Sequence, residues 1–192
     1  MVFSQEDINK RWDKLSAVSR KALSLLGPKF TQLSKGHIQT DIATVSSIAG
    51  LIILQETVDN LDEIIIKIGP GNVFLSEVHE GQQSVYVFMA ALAVSNGLDP
   101  QEGWGETITD SDKPIYTCEE MTRKLAPDFY KFCREEELDQ EYWKIGAAMT
   151  AMKLIFAGLQ AGLLDPKVGK TIASYYVVAG SKTIPFRDAL WS

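Results

Sequence analysis

Histidine and cysteine are the scarcest reactive residues in this chain, with two of each among 192 positions. A di-iron bundle needs a Glu-x-x-His pair on each of two helices. Ser34 and Ser76 stand where those glutamates would precede His37 and His79, so neither pair is complete. Cys118 and Cys133 are fifteen positions apart. On one helix that is about 22 Å at 1.5 Å rise per residue, far beyond disulfide reach. Free, reduced thiols and a cytoplasmic protein are the expectation.

Positive charge is also short. The net charge is −6, and Lys and Arg form no cluster. That excludes a phosphate-backbone partner, so no nucleic acid is expected. It also argues against an anionic lipid surface. No membrane span is expected either. The uncharged run Ile42 to Leu54 is bracketed by Asp41 and Glu56, and a span needs about 20 mostly apolar residues. The opening MVFSQEDINK lacks the charged-then-apolar order of a secretion signal.

Nucleophile and nucleotide frames are missing. Ser76 has no Gly-x-Ser-x-Gly surround. Gly169-Lys170-Thr171 imitates the end of a phosphate loop, but Leu164 stands where its first glycine belongs. Cys118 falls at the first turn of a predicted helix, where the dipole lowers a thiol's pKa, but Glu119 and Glu120 oppose that shift. Strands have little support. Val73 to Leu75 and Tyr175 to Ala179 favour β structure, but they are short or sit inside helical patterns.

What remains is helix. The length suits one domain with a core of its own. The spacing predicts an all-α, single-domain bundle of about six helices around a long central helix, residues 40–67. That stretch has no proline and one glycine, Gly50. Its second half carries a stripe at Leu51, Leu54, Val58, Leu61, Ile65 and Ile68, three or four residues apart. In its first half Ile42, Val45, Ile48, Ile52 and Ile53 point elsewhere, while Ala43, Ser46, Ser47 and Gly50 make a small face. A helix apolar nearly all round is buried on more than one side, and its small face admits a close neighbour.

The other helices follow from punctuation. The first is expected from Ser4 to Leu26, stopped by Gly27-Pro28. Thr40 is expected to cap the central helix. The third helix should run from Ser76 to Asn96, with Gly97 as its C-terminal stop. Thr117 and Glu120 fit a capping box. The helix they open contains Pro127, which should kink or break it. Asp139 is the next cap candidate, and Asp165-Pro166 opens the last helix. The motif LDPxxG occurs at 98–103 and again at 164–169, as a helix opener or a duplication. Between the third and fourth helices runs a loop through Trp104, long enough to suggest function. The tail, 181–192, carries Phe186, Leu190 and Trp191, and is expected to dock on its own domain or on a neighbouring subunit.

Two functional readings follow. The first is a self-associating helical interaction domain without catalytic activity, hence a homo-oligomer. It rests on the small-residue helices, the apolar tail and the lack of a catalytic set. The second is a small-molecule- or metal-binding protein with a pocket between the central and third helices. Its lining would be Glu56, Asp59, His79, Gln83 and Tyr86. Glu56, Asp59 and Glu63 lie at i, i+3 and i+7, while His79, Gln83 and Tyr86 share one face. Glu77 would join a loose metal site, and His79 is the natural axial ligand were haem the cofactor. The competing account is a solvated acidic face and a hydrogen-bonded polar seam between helices. It outweighs any metal, and no cofactor is named by these residues.

Overall fold

The computed structural model describes residues 5–73, 80–99, 101–104 and 106–191, apart from the side chains of 5–9, 11 and 80. Among the described residues there are seven α-helices and no strand. They are α1 (Gln5–Ser34), α2 (Ile38–Thr57), α3 (Leu61–Ile68), α4 (Glu80–Ser95), α5 (Cys118–Glu135), α6 (Trp143–Gln160) and α7 (Pro166–Lys182).

The all-α bundle around a central helix is what the periodicity predicted. Every residue of α2 from Thr40 to Leu54 is buried. By length and composition alone α2 could cross a membrane, but 83% of its apolar window is enclosed by the other helices. It packs most extensively on α7 and α6, and also on α5, α1 and α4. The small face predicted from sequence meets α7. A methyl group on Gly50 would lie 2.2 Å from the Val177 carbonyl oxygen, and one on Gly180 would lie 2.2 Å from the Ser47 carbonyl oxygen. The two backbones are therefore in contact, and only glycine fits at either position.

The central helix is shorter than expected. It ends at Thr57, and residues 61–68 form the separate helix α3. Asn60 sits in the left-handed region at φ 58°, and its carbonyl accepts the first amides of α3, from Glu63 and Ile64. Asparagine tolerates that conformation better than other non-glycine residues. Counting only glycine and proline as breakers therefore misses the turn.

The first helix is longer than expected. It continues through Gly27-Pro28 to Ser34. Leu15, Val18, Ala22, Leu26 and Phe30 form one buried stripe across the proline. Pro28 and Ser24 are exposed, so the carbonyl that Pro28 leaves without a donor faces water and costs little. The helix stops instead at Lys35 and Gly36, both at positive φ. Pro127 is likewise exposed inside α5, which it does not end.

The cap of α2 is His37, not Thr40. Thr40 lies one turn inside. Its hydroxyl bonds the His37 ring at Nδ1 (2.8 Å) and accepts the Ile115 amide at 3.1 Å. The start of the third helix at Ser76 lies outside the described residues, but its stop at Gly97 has φ 75° and the paired carbonyl bonds of a glycine C-cap. The Thr117–Glu120 capping box is complete. Asp139 precedes only a 3₁₀ turn, Gln140–Tyr142, and its side chain makes no cap bond. Asp165 caps α7, accepting the Lys167 amide at 2.8 Å, with Pro166 in the first turn.

The last residues pack against the chain's own helices. Trp191 meets the rings of Tyr130 and Trp143 edge-on at 5.7 and 6.0 Å, while those two stack at 5.7 Å. Arg123 bridges to Asp188 and lies 4.5 Å from the centre of the Phe186 ring. Ile184 donates to the Asn72 carbonyl and accepts from Gly71, which pins the turn after α3 to the end of α7.

Candidate functional site

The five residues singled out from sequence do not gather into one described site. Glu56 is ion-paired with Lys144 of α6. Asp59 is exposed in the turn that ends α2. Gln83 is exposed on α4, and the inward amide is its neighbour Gln82, which donates to Ser181 at 2.5 Å. His79 and Glu77 lie outside the described residues. Tyr86 faces α7, where its hydroxyl donates to the Ser174 carbonyl at 2.8 Å. Glu63 sits on α3 beside Lys67, not on the helix that carries Glu56. Among the described residues no three His, Cys, Asp or Glu side chains converge as a metal site requires.

Of the five, Tyr86 lines a cleft. This cleft of about 590 Å³ opens between α4, the loop after it, and α7. Tyr86, Val87 and Ala90 form the α4 wall; Ser174, Tyr175 and Val178 form the α7 wall. The loop closes the third side with Trp104 and Glu106. A second cavity of about 780 Å³ adjoins it and shares Glu106 and Tyr175. Ile108, Pro114, Ile115, Tyr116, Glu120 and Tyr176 are among its lining residues.

The loop is built to hold Trp104 in place. Gly103 has φ 80°, and a methyl group there would lie 2.7 Å from the Lys167 carbonyl oxygen, so the loop backbone rests on the first turn of α7. Thr171 donates to the Gly103 carbonyl at 2.9 Å. Lys170, only 1% exposed, donates to the Asp99 carbonyl at 2.5 Å, and its ammonium lies 5.7 Å from the centre of the Trp104 ring. Lys167 pairs with Glu102 at 3.2 Å. The two LDPxxG segments therefore lie against each other: the first supplies carbonyls, and the two residues that follow the second, Lys170 and Thr171, supply the donors. The lysine and threonine that imitated a phosphate loop serve this contact.

The described lining of the cleft holds few polar groups. The Tyr86 hydroxyl is already engaged, and burial pushes its pKa up to about 12. Ser174 donates to Thr171 within its own helix at 3.0 Å. Among the described residues, Glu106 is the one charged side chain in the lining. The cysteines lie elsewhere, on α5, free and buried. Burial lifts Cys118 to about 11, against the hydroxyls of Ser47 and Thr183, and lifts Cys133 to about 12. Neither is an activated nucleophile. Of the residues lining this cleft, the sequence singles out Tyr86, for a pocket facing the central helix, and the Trp104 loop by its length. Sequence reasoning missed the α7 wall, because Tyr175 and Val178 read as ordinary helix. Comparison with family models, curated proteins and solved structures finds no match to this chain.

Proposed function

We propose that this protein binds a small, largely apolar molecule in the cleft between α4, the Trp104 loop and α7, without catalysing a reaction on it. The observation that carries the reading is the cleft itself: about 590 Å³, walled by aromatic and aliphatic side chains, with one carboxylate at its edge. That size and lining are those of small-molecule sites, which are mostly apolar with few polar groups to fix orientation. The loop clamped to α7 supports a preformed site, and preformed sites lose less free energy to ordering on binding. Two free, buried thiols fit a reducing compartment such as the cytoplasm. A neutral fluorescent probe, N-phenyl-1-naphthylamine, tests the reading. Saturable binding near one per chain is expected, and it should be lost in Ala90→Trp, which fills the cleft, without a lower melting temperature. Unchanged probe binding in that variant would count against the cleft.

Self-association is the second reading. The small face of α2 and the apolar tail are both engaged inside one chain, so neither supports it. Its support is the exposure of Val87 (70%) and Tyr175 (57%) at the rim of the cleft. Light scattering at high micromolar concentration decides it, and a clean monomer removes this reading.

A further inference from the structure

The charge and ring content of the cleft point further than apolar binding. We infer that its ligand is an amphipathic organic cation: an alkylated ammonium on an apolar body. This rests on the cleft being a ligand site at all.

The faces of aromatic rings carry negative potential, and a cation within about 6 Å of a ring centre is attracted to it, most strongly for tryptophan. Three rings line the cleft: Tyr86, Trp104 and Tyr175. Among the described residues, Glu106 is the one formal charge in that lining. It also lines the adjoining cavity, where Glu120 adds a second carboxylate. The lysine there, Lys113, is paired with Asp110 at 2.6 Å. Among the described lining residues of the two cavities the formal charges therefore sum to negative, Glu106 and Glu120 against Lys113. The Trp104 ring already attracts one ammonium, that of Lys170 at 5.7 Å. Lys170 is buried under the loop and does not line the cleft, so it does not fill the position proposed for the ligand. Val87, Ala90 and Val178 offer the apolar body a surface with no hydrogen-bonding demand. A carboxylate ligand would meet Glu106, and a strongly hydrogen-bonding ligand would find the Tyr86 hydroxyl engaged by Ser174.

The test compares three ligands that share a phenylalkyl body and differ in head group on the full chain by calorimetry: 4-phenylbutyltrimethylammonium, 4-phenylbutanol and 4-phenylbutyrate. The ammonium should bind about tenfold more tightly than the alcohol, the size of one partly desolvated cation–ring contact. The carboxylate should bind most weakly. Glu106→Gln, at an exposed position, should shrink the preference for the ammonium over the alcohol. Equal binding of ammonium and alcohol would overturn the cation inference and leave the apolar site standing. A preference for the carboxylate would do the same. Binding of none of the three at millimolar concentration would overturn the inference and the binding reading together.

Discussion

Gln55 holds the backbone of Trp191. Its Oε1 accepts the Trp191 amide at 2.9 Å, while its Nε2 donates to the Tyr130 hydroxyl at 3.0 Å. One side chain at the end of α2 thus joins the last described residue to a buried ring of α5. Burial raises the Tyr130 hydroxyl well above its ordinary pKa, and the Gln55 bond opposes that rise. It is therefore a neutral group in an apolar setting that needs its partner. Gln55→Ala should cost about 1–3 kcal/mol, the usual penalty for a buried polar group left unpaired. The near-ultraviolet circular dichroism of the Tyr130–Trp143–Trp191 cluster should weaken with it. Urea unfolding and that spectrum check both.

Gly50→Ala and Gly180→Ala should each destabilise the protein strongly. Extra atoms in a packed core cost about 1–3 kcal/mol when side chains can move aside. Here the obstacle is backbone, at 2.2 Å from either added methyl, so the upper end of that range or beyond is expected. Gly27→Ala is the control. Nothing lies within 4 Å of its added methyl, and alanine suits a helix interior better than glycine by about 1 kcal/mol. Its urea midpoint should not fall.

Asp41 should make stability depend on pH in the acid range. Burial raises its pKa from 3.8 to about 6, with the Ser34 bond pulling the other way, and its Oδ1 has no hydrogen-bond partner. The folded state holds this proton more tightly than the unfolded state. Its contribution is therefore complete below about pH 4 and is lost as pH rises through about 6. Asp41→Asn, which keeps an acceptor for Ser34 and carries no charge, should match the parent near pH 4. It should be more stable at pH 7. Paired denaturation midpoints across that range show whether the gap opens with the expected sign.

The two cysteines should resist modification. With thiols near 11 and 12, only about one in a thousand or fewer is ionised at pH 8, and both are buried. A disulfide reagent should leave the native protein almost unlabelled over minutes and titrate two thiols once urea unfolds it. Fast labelling of the native state would contradict the packing of α5.

Features written in local chemistry were legible in the sequence. The Thr117–Glu120 box, the Asp165-Pro166 start and the Gly97 stop each depend on a few adjacent residues. The small face of α2 was legible because Ala43, Ser46, Ser47 and Gly50 repeat at helical spacing. Asn60 was not, since its left-handed turn uses a residue that also occurs in exposed helix. Pro28 misled for a related reason: whether a proline ends a helix depends on whether its freed carbonyl reaches water. The cleft was the least legible. Tyr86, Trp104 and Tyr175 come from three separated stretches, and no periodicity links them until Lys170 and Thr171 draw the loop onto α7. Of the residues expected to line a pocket between the central and third helices, Glu56 is paired with Lys144, Asp59 lies exposed in a turn, Gln83 is exposed, Tyr86 faces α7, and His79 lies outside the described residues.

The contact between Gly50 and Gly180 joins residues roughly 130 positions apart. A loop of that size must close before the tightest part of the core exists, and the entropy of closure is spent before any packing returns it. Most helical bundles fold quickly because their contacts are local. This one should fold more slowly than its helix content suggests, with α2 left half-covered, its apolar side open to solvent or to aggregation, until α7 arrives.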